Sequence, residues 1–566
     1  MDTGSGVVGS TDVCIVGAGP VGLALAIGLR RLSLRVRIVD RAPTARHKAG
    51  PLVLWTRARQ ALDVLGVGEL LRLRGVELGT VTLHARDRAL GPLGTGWALP
   101  ARARPLAVQQ YDVERLLREE LARLGTRVEW NTEVTDVEVR EDRAEFTLRH
   151  AGGAVESTAA PWIVGCDGTA SVVRDRLGIR FGGLLPAAPQ VVLGTAPTGR
   201  PLGLRPDLGH LFLVPHHSLL VFPLSDGGFR FFCFRDRPEP GATAAPTQDE
   251  LRSLVADTTG VPAVRLDAAR PRPDGAALHG RIAAELRRGR ALLAGDAAHA
   301  WAPVGGLGTN IGILGAVNLA WKLAAVQGGQ ADEGLLDTYD AEQRLTAVQY
   351  LRHMRFDFME PPLPPLGHRA FAATAPAAFV RSGLRPGAGL RAGAPGRSRV
   401  PGDHRGGPLS WHRSGRHRRR GPRAGDRMPD VRVLVPGEGA PSGTGSSLST
   451  VPRTVARGLR TLLGYGRWTL VLYAARAEPG VVDGLRRACA RFPVPIRILP
   501  VTPRDDIEAG RLGHPDVLWL VRPDGHVGLV APVTRTALLR AYLSALAPSR
   551  ARGVRKSRWM LPLRGR

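Results

Sequence analysis

A glycine-rich motif near the N-terminus constrains this 566-residue chain more than any other feature. Residues 12–40 read DVCIVGAGPVGLALAIGLRRLSLRVRIVD, which predicts a short buried strand, a glycine turn, a helix and a second strand. Gly17 permits the tight turn, Gly19 lets the backbone approach a pyrophosphate, and Gly22 lets helix and strand pack closely. Asp40 ends the second strand, where it can accept hydrogen bonds from a ribose diol. The motif therefore predicts a dinucleotide-binding domain and leaves open whether NAD or FAD binds.

A second glycine-rich segment, residues 290–323, indicates which dinucleotide it is. The segment reads RALLAGDAAHAWAPVGGLGTNIGILGAVNLAWKL, which predicts a buried strand, then Asp296, a turn of small residues and a helix. An acid at the carboxyl end of a strand can bind a ribityl or ribose hydroxyl, and a glycine-rich helix start can hold a phosphate or ring carbonyl. NAD needs only the first motif. The second site therefore indicates a longer ligand with a sugar-alcohol chain, which is FAD.

A shorter segment lies between these two. Residues 162–174 read WIVGCDGTASVVR, a strand followed by a turn, which on its own is a common structural pattern. In chain order, however, GAGPVG, GCDGTASVVR and GDAAHAWAPVGGLGTN resemble the three motifs of the single-component FAD-dependent aromatic hydroxylases. More narrowly, they resemble the members that tailor bacterial aromatic polyketides, and the resemblance covers about residues 10–375.

The resemblance implies how a tightly but non-covalently bound FAD is held. The first motif would bind the ADP half, Asp296 the ribityl chain and the segment Pro303–Asn310 the isoalloxazine, while the middle motif would contact both FAD and NAD(P)H. Gln110 matches a glutamine that reaches the flavin, and Arg46 sits where the family has an arginine near the ring edge, so Arg46 is the candidate catalytic residue. No metal site is expected. The predicted cofactor-binding residues are Gly17, Gly19, Pro20, Val21, Gly22, Asp40, Arg41, Arg46, Gln110, Asp167, Gly168, Arg174, Asp296, Pro303, Gly305, Gly306, Leu307, Gly308, Thr309 and Asn310.

Two positions depart from the family pattern. Gly315 stands where the family usually has the aspartate of D-A-x-N-L, in the helix behind the flavin. Leu307 stands where a glutamine often follows the paired glycines. The first departure bears on how that helix docks and not on the Gly305–Asn310 contact, and the second is a milder change.

The predicted fold class is α/β, and its first two domains are interleaved along the chain. A Rossmann-like FAD-binding domain would comprise residues 1–75, 104–180 and 277–375. Residues 76–103 and 181–276 contain short alternating apolar runs, which predict an inserted antiparallel sheet. In the family, a sheet in this position binds the substrate.

The rest of the chain is predicted to be a linker and a third domain. Residues 376–428 are rich in Arg, Gly and Pro and have few apolar anchors, which favours a linker. Residues 429–566 predict strand–helix–strand followed by strand–strand–helix, the order of a thioredoxin-like domain. Cys489 has no CxxC partner, so dithiol chemistry is not expected there.

The net charge of +28 raises the alternative of a nucleic-acid-binding protein. The basic excess is concentrated in 381–427 and 549–566, and no aromatic stacking pattern accompanies it, so no nucleic-acid partner is expected. No apolar run has the length of a membrane helix, and the apolar stretch near the N-terminus lacks a basic flank. We therefore expect a cytoplasmic protein without a membrane partner, either a monomer or a homodimer.

The implied activity is that of a monooxygenase. NAD(P)H, with NADPH ahead of NADH, would be a transient co-substrate that reduces FAD, and O₂ would then form a flavin hydroperoxide that hydroxylates a polyketide-derived phenol. Baeyer–Villiger oxidation, epoxidation and dehydrogenation on the same scaffold remain alternatives, because a scaffold fixes the cofactor and not the product. The basic nucleic-acid-binding protein is the alternative from another class.

Overall fold

The computed structural model describes residues 11–45, 51–79, 81–85, 88–93, 104–183, 190–196, 204–213, 217–235, 248–259, 276–277, 280–300, 307–354, 404–412, 421–436, 454–473, 479–490, 492–513 and 515–548. The chain forms two compact units. The N-terminal unit comprises Met1–Ala320 and Ala347–Ala392, and the C-terminal unit comprises Trp321–Thr346 and Gly393–Arg566. The predicted α/β class is confirmed.

The centre of the N-terminal unit is a six-stranded sheet. Its neighbouring strands are parallel except for the first pair in the order given below. The strands that carry the motifs are continuous apolar runs with no exposed residue, as parallel strands covered on both faces require. In order across the sheet, the strands are Arg287–Arg288, Ala291–Leu293, Trp162–Gly165, Val13–Val16, Val36–Val39 and Val128–Glu129.

Three small sheets and a set of helices complete this part of the unit. The helix Pro20–Arg31 follows the glycine turn, and its residues from Gly22 to Leu29 are all buried. The three-stranded sheets are Val155–Ala160, Ala144–Arg149 and Glu133–Val139; Phe181–Gly183, Arg281–Ala283 and His299–Ala300; and Pro51–Leu54, Leu106–Gln109 and Val76–Glu77. The other helices are Thr56–Val64, Gly68–Arg72, Gln110–Arg123, Val172–Arg176 and Gln248–Thr259. Two further helices are shared between the units: Leu307–Gln327 begins in the N-terminal unit and ends in the C-terminal one, and Gly334–Met354 begins in the C-terminal unit and ends in the N-terminal one.

The predicted middle sheet has seven strands, and one of its pairings differs from the expectation. Val81–Ala85 and Gly209–Leu213 are parallel, whereas we expected an antiparallel sheet throughout. These strands come from the two separate segments of the predicted domain, so no tight hairpin forces them to run in opposite directions. In order, the strands are Ala276–Ala277, Gln190–Ala196, Phe229–Arg235, His217–Pro223, Gly209–Leu213, Val81–Ala85 and Arg88–Leu93.

The C-terminal unit contains a second seven-stranded sheet. Its central strand, Trp468–Tyr473, is parallel to Ile496–Pro503 and antiparallel to Val517–Val521. The strands in order are Trp411–His412, Val527–Pro532, Val517–Val521, Trp468–Tyr473, Ile496–Pro503, Arg432–Pro436 and Thr454–Gly458. The helices after residue 404 are Leu459–Leu463, Pro479–Ala490, Asp506–Leu512 and Thr536–Leu546.

Part of the predicted linker is packed into this unit. Residues 376–403 and 413–420 lie outside the described residues. Leu409 and Met428, by contrast, are completely buried, and Trp411–His412 pairs with the strand Val527–Pro532. The composition of this stretch misled the prediction because a few apolar anchors suffice to dock a segment that is otherwise rich in Arg and Gly.

Among the described residues, Gly308–Gln327 is the one helix long and apolar enough to cross a membrane. Most of that stretch is buried inside the structure. Burial of this kind is typical of a core helix.

Candidate cofactor site

The three glycine motifs lie at the same edge of the parallel sheet. Val16 is in register with Gly165, and Gly165 is in register with Leu293. Cys166 N–H donates to the Val16 carbonyl at 2.7 Å, and Ala294 N–H donates to the Gly165 carbonyl at 2.9 Å. Each motif therefore starts where its strand ends, and the structure brings all three together at the carboxyl edge, where ligands of such sheets bind.

The first glycine turn has no room for a side chain at Gly17 or Gly22. Gly17 has φ +101°, and a Cβ there would lie 2.5 Å from the Cys166 carbonyl oxygen. A Cβ on Gly22 would lie only 2.0 Å from the Gly17 carbonyl oxygen. A Cβ on Gly19, in contrast, would meet no atom within 4 Å. Gly17 and Gly22 thus shape the turn, while Gly19 leaves open space at the N-terminus of the helix Pro20–Arg31, where a phosphate is favoured.

Asp40 fastens this turn to the end of the second strand. Its Oδ2 accepts the Ala18 N–H and its Oδ1 accepts the Ala42 N–H, both at 2.8 Å. Each carboxylate oxygen retains a second lone pair that a ribose hydroxyl could use. Arg41, the next predicted contact, is exposed. Asp40 can therefore both stabilise the turn through backbone hydrogen bonds and bind a ribose hydroxyl.

Asp167 in the middle motif carries a buried oxygen without a partner. Its Oδ2 accepts the Val173 N–H at 3.3 Å, while Oδ1 has no hydrogen-bond partner among the described residues. Burial raises the pKa of this carboxyl group, partly offset by hydrogen bonds from Ser171 and backbone amides. The α-carbon of Asp167 lies 2.9 Å from where a Gly17 side chain would begin. An orphaned polar atom beside the glycine turn fits a site built for a polar ligand such as FAD.

Arg174 connects the middle motif to the third motif. The side chain is almost fully buried, and its guanidinium donates to the carbonyls of Thr169 at 2.9 Å and Ala297 at 3.4 Å. It also lies over the Phe181 ring, 4.1 Å from the centroid. We predicted Arg174 as a contact for FAD and NAD(P)H. In the structure its two Nη atoms hold the turn next to Asp296, while Nε has no hydrogen-bond partner among the described residues, and the cofactor contact stays a prediction.

The third motif packs directly on the first. Gly295 has φ +60°, and a Cβ on Gly312 would lie 2.5 Å from Cγ2 of Val21. Asp296 is exposed, whereas Gly295 and Ala297 on either side of it are buried. The small residues therefore bring the two helix starts together, and the one acid between them faces away from the core.

Asn310 holds the start of the helix Leu307–Gln327 by two hydrogen bonds. Its Oδ1 accepts the Trp55 N–H at 2.8 Å and its Nδ2 donates to the Val53 carbonyl at 2.7 Å, in a buried position. We predicted this residue as a flavin contact. Both ends of its amide are used by the backbone of another element, so Asn310 positions the helix that carries the third motif.

The structure describes some of the remaining predicted cofactor-binding residues, and the others lie outside the described ranges. Gln110 starts the helix Gln110–Arg123, and its Nε2 donates to Glu114 Oε1 at 2.7 Å. Gly315, at the departure from the family pattern, is buried within its helix. Among the other described residues, Pro20 is buried, Leu307 begins its helix, and the partly exposed residues are Val21, Gly168, Gly308 and Thr309. The predicted residues that lie outside the described ones are Arg46, Pro303, Gly305 and Gly306.

Sequence reasoning missed three contributors to the site. Ser171 caps the helix Val172–Arg176 by accepting the Arg174 N–H at 3.1 Å, and a serine before a short helix could have signalled this. Gly312 could have been suspected as a glycine within an apolar helix. The pairing of Trp55 with Asn310 had no sequence signal, because 255 residues separate them.

The role of Asn310 leads to a prediction. Asn310→Ala leaves the Trp55 N–H and the Val53 carbonyl buried without their partner, at a cost of about 1–3 kcal/mol for each group. We expect a lower unfolding temperature and weaker FAD binding, measured by differential scanning fluorimetry and flavin fluorescence titration. Asn131→Gly is the control, since Asn131 is exposed, has φ +51° and donates a side-chain hydrogen bond to the Pro43 carbonyl at 3.2 Å. An unfolding temperature of Asn310→Ala equal to that of the wild type would show that the two Asn310 hydrogen bonds do not stabilise the protein.

Comparison with known proteins agrees with this site. Residues 10–354 match the model of a family described as FAD binding domain. The 6-methylpretetramide 4-monooxygenase of Streptomyces rimosus is 31% identical over 569 aligned residues, covering 94% of this chain and 93% of that protein. The 12-dehydrotetracycline 5-monooxygenase/anhydrotetracycline 6-monooxygenase of Streptomyces rimosus subsp. rimosus is 34% identical over 360 residues, covering 61% of this chain and 68% of that protein.

A solved structure extends the likeness over nearly the whole chain. The OxyS anhydrotetracycline hydroxylase from Streptomyces rimosus superposes with a TM-score of 0.71 and 25% identity, covering 95% of this chain and 99% of that one. The resemblance predicted from the three motifs is thus confirmed. The chain belongs to the family of FAD-dependent aromatic hydroxylases, and it is an FAD-dependent monooxygenase.

Proposed function

We propose that this enzyme hydroxylates a polycyclic, polyketide-derived phenol at the expense of NAD(P)H and O₂. One oxygen atom enters the substrate as a hydroxyl group, the other leaves as water, and NAD(P)H supplies the two electrons. The observation that carries the proposal is the near full-length similarity to 6-methylpretetramide 4-monooxygenase, which includes the C-terminal unit. We infer the reaction class from the family and the substrate class from this relative.

The chain's own residues would bind and orient the cofactor. The open backbone at Gly19 would receive the pyrophosphate, Asp40 the adenosine ribose and Asp296 the ribityl hydroxyls. FAD, when bound, supplies the electron transfer and oxygen activation that side chains cannot. Arg46 lies outside the described residues and remains the proposed electrostatic contributor near the ring.

NAD(P)H would bind transiently rather than in a second nucleotide fold. Arg174, the residue the family resemblance offers to it, already donates to two backbone carbonyls. A nicotinamide cofactor would therefore use surface groups in addition to any remaining donor of Arg174. We propose NADPH as the preferred form, and a comparison of the two cofactors in steady-state kinetics tests this preference.

The domain assignments are part of the proposal. The seven-stranded middle sheet would hold the substrate within residues 76–103 and 181–276, although Val76–Glu77 pairs with Leu106–Gln109 in a separate sheet. In the C-terminal unit, the parallel and antiparallel neighbours of Trp468–Tyr473 support a thioredoxin-like domain without a dithiol site. We further propose a cytoplasmic monomer or homodimer.

An isotope experiment tests the reaction. The holoenzyme is incubated with NADPH and tetracyclic phenols of the pretetramide type under ¹⁸O₂, and the products are examined by mass spectrometry. We expect one ¹⁸O atom per product molecule and one NADPH consumed for each, with Asp296→Ala as the cofactor-depleted control. A ring-expanded lactone would indicate Baeyer–Villiger oxidation, and an epoxide would indicate epoxidation, in place of hydroxylation. NADPH consumption that yields only hydrogen peroxide across the whole panel would reject the proposed substrate class.

A further inference from the structure

The C-terminal unit contains a cluster of buried charged residues that the FAD site does not use. Glu342, on the helix Gly334–Met354, is fully buried, and its Oε2 accepts a hydrogen bond from Lys322 Nζ at 2.8 Å. Arg522 binds the same carboxylate with both Nη atoms, at 2.5 and 3.0 Å, and reaches Asp524 at 2.5 Å. The Trp321 indole N–H donates to Asp524 at 3.1 Å. Two cations and two anions thus form one network with no net charge.

Two histidines adjoin this network. The rings of His404 and His526 are stacked, with centroids 4.2 Å apart and planes 15° from parallel. His404 Nδ1 lies 3.4 Å from Glu342, and His526 Nδ1 lies 3.2 Å from Asp524. Burial holds the pKa of His404 well below 6.5, so this ring is neutral at pH 7. His404 therefore lies against Glu342 without adding a positive charge to the network.

His404, Asp524 and His526 also bring three potential metal ligands within 4.8 Å of one another. A metal ion binds an imidazole nitrogen in the plane of the ring, at about 2.0–2.1 Å for zinc. Two nearly parallel rings stacked about 4 Å apart cannot both meet this requirement. Arg522 beside the same carboxylate would also repel a cation. The geometry therefore favours a closed ionic network over a metal centre.

The cluster includes residues from the helix that carries the third motif. Trp321 and Lys322 lie near the end of the helix Leu307–Gln327, whose beginning carries Asn310 and Gly312. An α-helix rises 1.5 Å per residue and is stiff, so Lys322 lies roughly 18 Å along the axis from Asn310. The family match runs through residue 354, yet residues 321–346 pack with the C-terminal unit. One helix thus joins the cofactor site to the buried cluster.

We propose that the C-terminal unit positions the FAD site through this helix, with the charge-neutral cluster around Glu342 fixing the helix end at Trp321 and Lys322. This assigns a role to a unit that has no dithiol chemistry. Lys322 and Glu342 act as positioning residues, because neither belongs to the residues proposed to contact FAD. The inference requires FAD binding and holds whatever the substrate is.

A charge-rescue experiment in the full-length holoenzyme tests the proposal. Glu342→Gln leaves the cluster with one excess positive charge, Lys322→Met leaves one excess negative charge, and the double variant is again neutral. Breaking a buried ion pair costs several kcal/mol, so Glu342→Gln should lower the unfolding temperature by on the order of 10 °C. Lys322→Met should cost less, because Glu342 keeps both contacts with Arg522. The double variant should recover at least half of the Glu342→Gln loss.

FAD affinity separates a positioning role from a purely structural one. The FAD dissociation constant is measured at a temperature well below the unfolding transition. It should rise about tenfold in Glu342→Gln, because a small displacement of the helix would weaken one contact with FAD. The double variant should restore most of that affinity. Asp483→Asn is the matched control, because the Asp483–Arg486 pair at 3.0 Å in the same unit is exposed on both sides.

Three results would overturn the inference. If the FAD dissociation constant in both single variants stays at the wild-type value while the unfolding temperature falls, the cluster stabilises its unit without positioning the cofactor. If the double variant is no more stable than Glu342→Gln, charge balance is not what holds the cluster. If EDTA lowers, or Zn²⁺ raises, the unfolding temperature of the wild type but not of His404→Ala, the cluster is a metal centre.

Discussion

Gly22→Ala is expected to abolish FAD binding and to destabilise the N-terminal unit. The added methyl group would lie 2.0 Å from the Gly17 carbonyl oxygen, and both atoms belong to elements that cannot move separately. Overpacking of a core costs about 1–3 kcal/mol even where side chains can adjust, and here the obstacle is backbone. We expect an FAD dissociation constant raised at least a hundredfold and a protein that purifies without colour.

Two other glycines serve as matched variants. Gly19→Ala should fold normally, because its Cβ meets no atom within 4 Å and its φ is −73°, yet the methyl group should obstruct a pyrophosphate. Gly484→Ala lies in the helix Pro479–Ala490 with open space around it, and should leave FAD binding unchanged while stabilising its helix by up to about 1 kcal/mol. Full flavin content in Gly22→Ala would contradict the assigned role of the turn.

Asp296→Ala is expected to weaken FAD binding by about ten- to a hundredfold without unfolding the apoprotein. A hydrogen bond to a charged group contributes roughly 1.5–3 kcal/mol, and the ribityl hydroxyls would lose this acceptor. Because Asp296 is exposed, its removal should leave the apoprotein's packing intact. The holoenzyme should melt at a lower temperature and recover when FAD is added in excess, since a ligand stabilises the state that binds it.

Asp40→Ala gives a contrasting result that separates the two acids. Asp40 accepts two backbone N–H groups within its own motif, so its loss should lower the stability of the apoprotein as well as its affinity for FAD. Both quantities are measured by thermal unfolding of the flavin-free protein and by flavin fluorescence titration. If Asp296→Ala keeps wild-type affinity, the third motif is scaffold and another group holds the ribityl chain.

Much of the cofactor site was predictable from the sequence because its constraints are local. Gly17 adopts a positive φ and Gly22 meets the carbonyl of Gly17 in the same turn, and the order of strand, turn and helix is written in one continuous segment. The adjacency of the three motifs also followed, since parallel strands end at a common edge.

Other features depended on contacts between distant segments. Asn310 and Arg174 have the chemistry of cofactor ligands, and only the fold reveals that the amide of Asn310 and both Nη atoms of Arg174 bind backbone groups. The parallel pairing of Val81–Ala85 with Gly209–Leu213 likewise involves strands more than a hundred residues apart, for which no turn sets the direction.

The sequence by itself determined the α/β class, the FAD-binding motifs and the membership of a hydroxylase family, because residue type and spacing dictate short-range backbone geometry. The tertiary structure alone decided that residues 321–346 pack with the C-terminal unit and that Lys322, Glu342, Arg522 and Asp524 balance one another's charge. The physical reason is that a buried charge requires a partner in space, and here Glu342 and Arg522 are 180 residues apart in the chain.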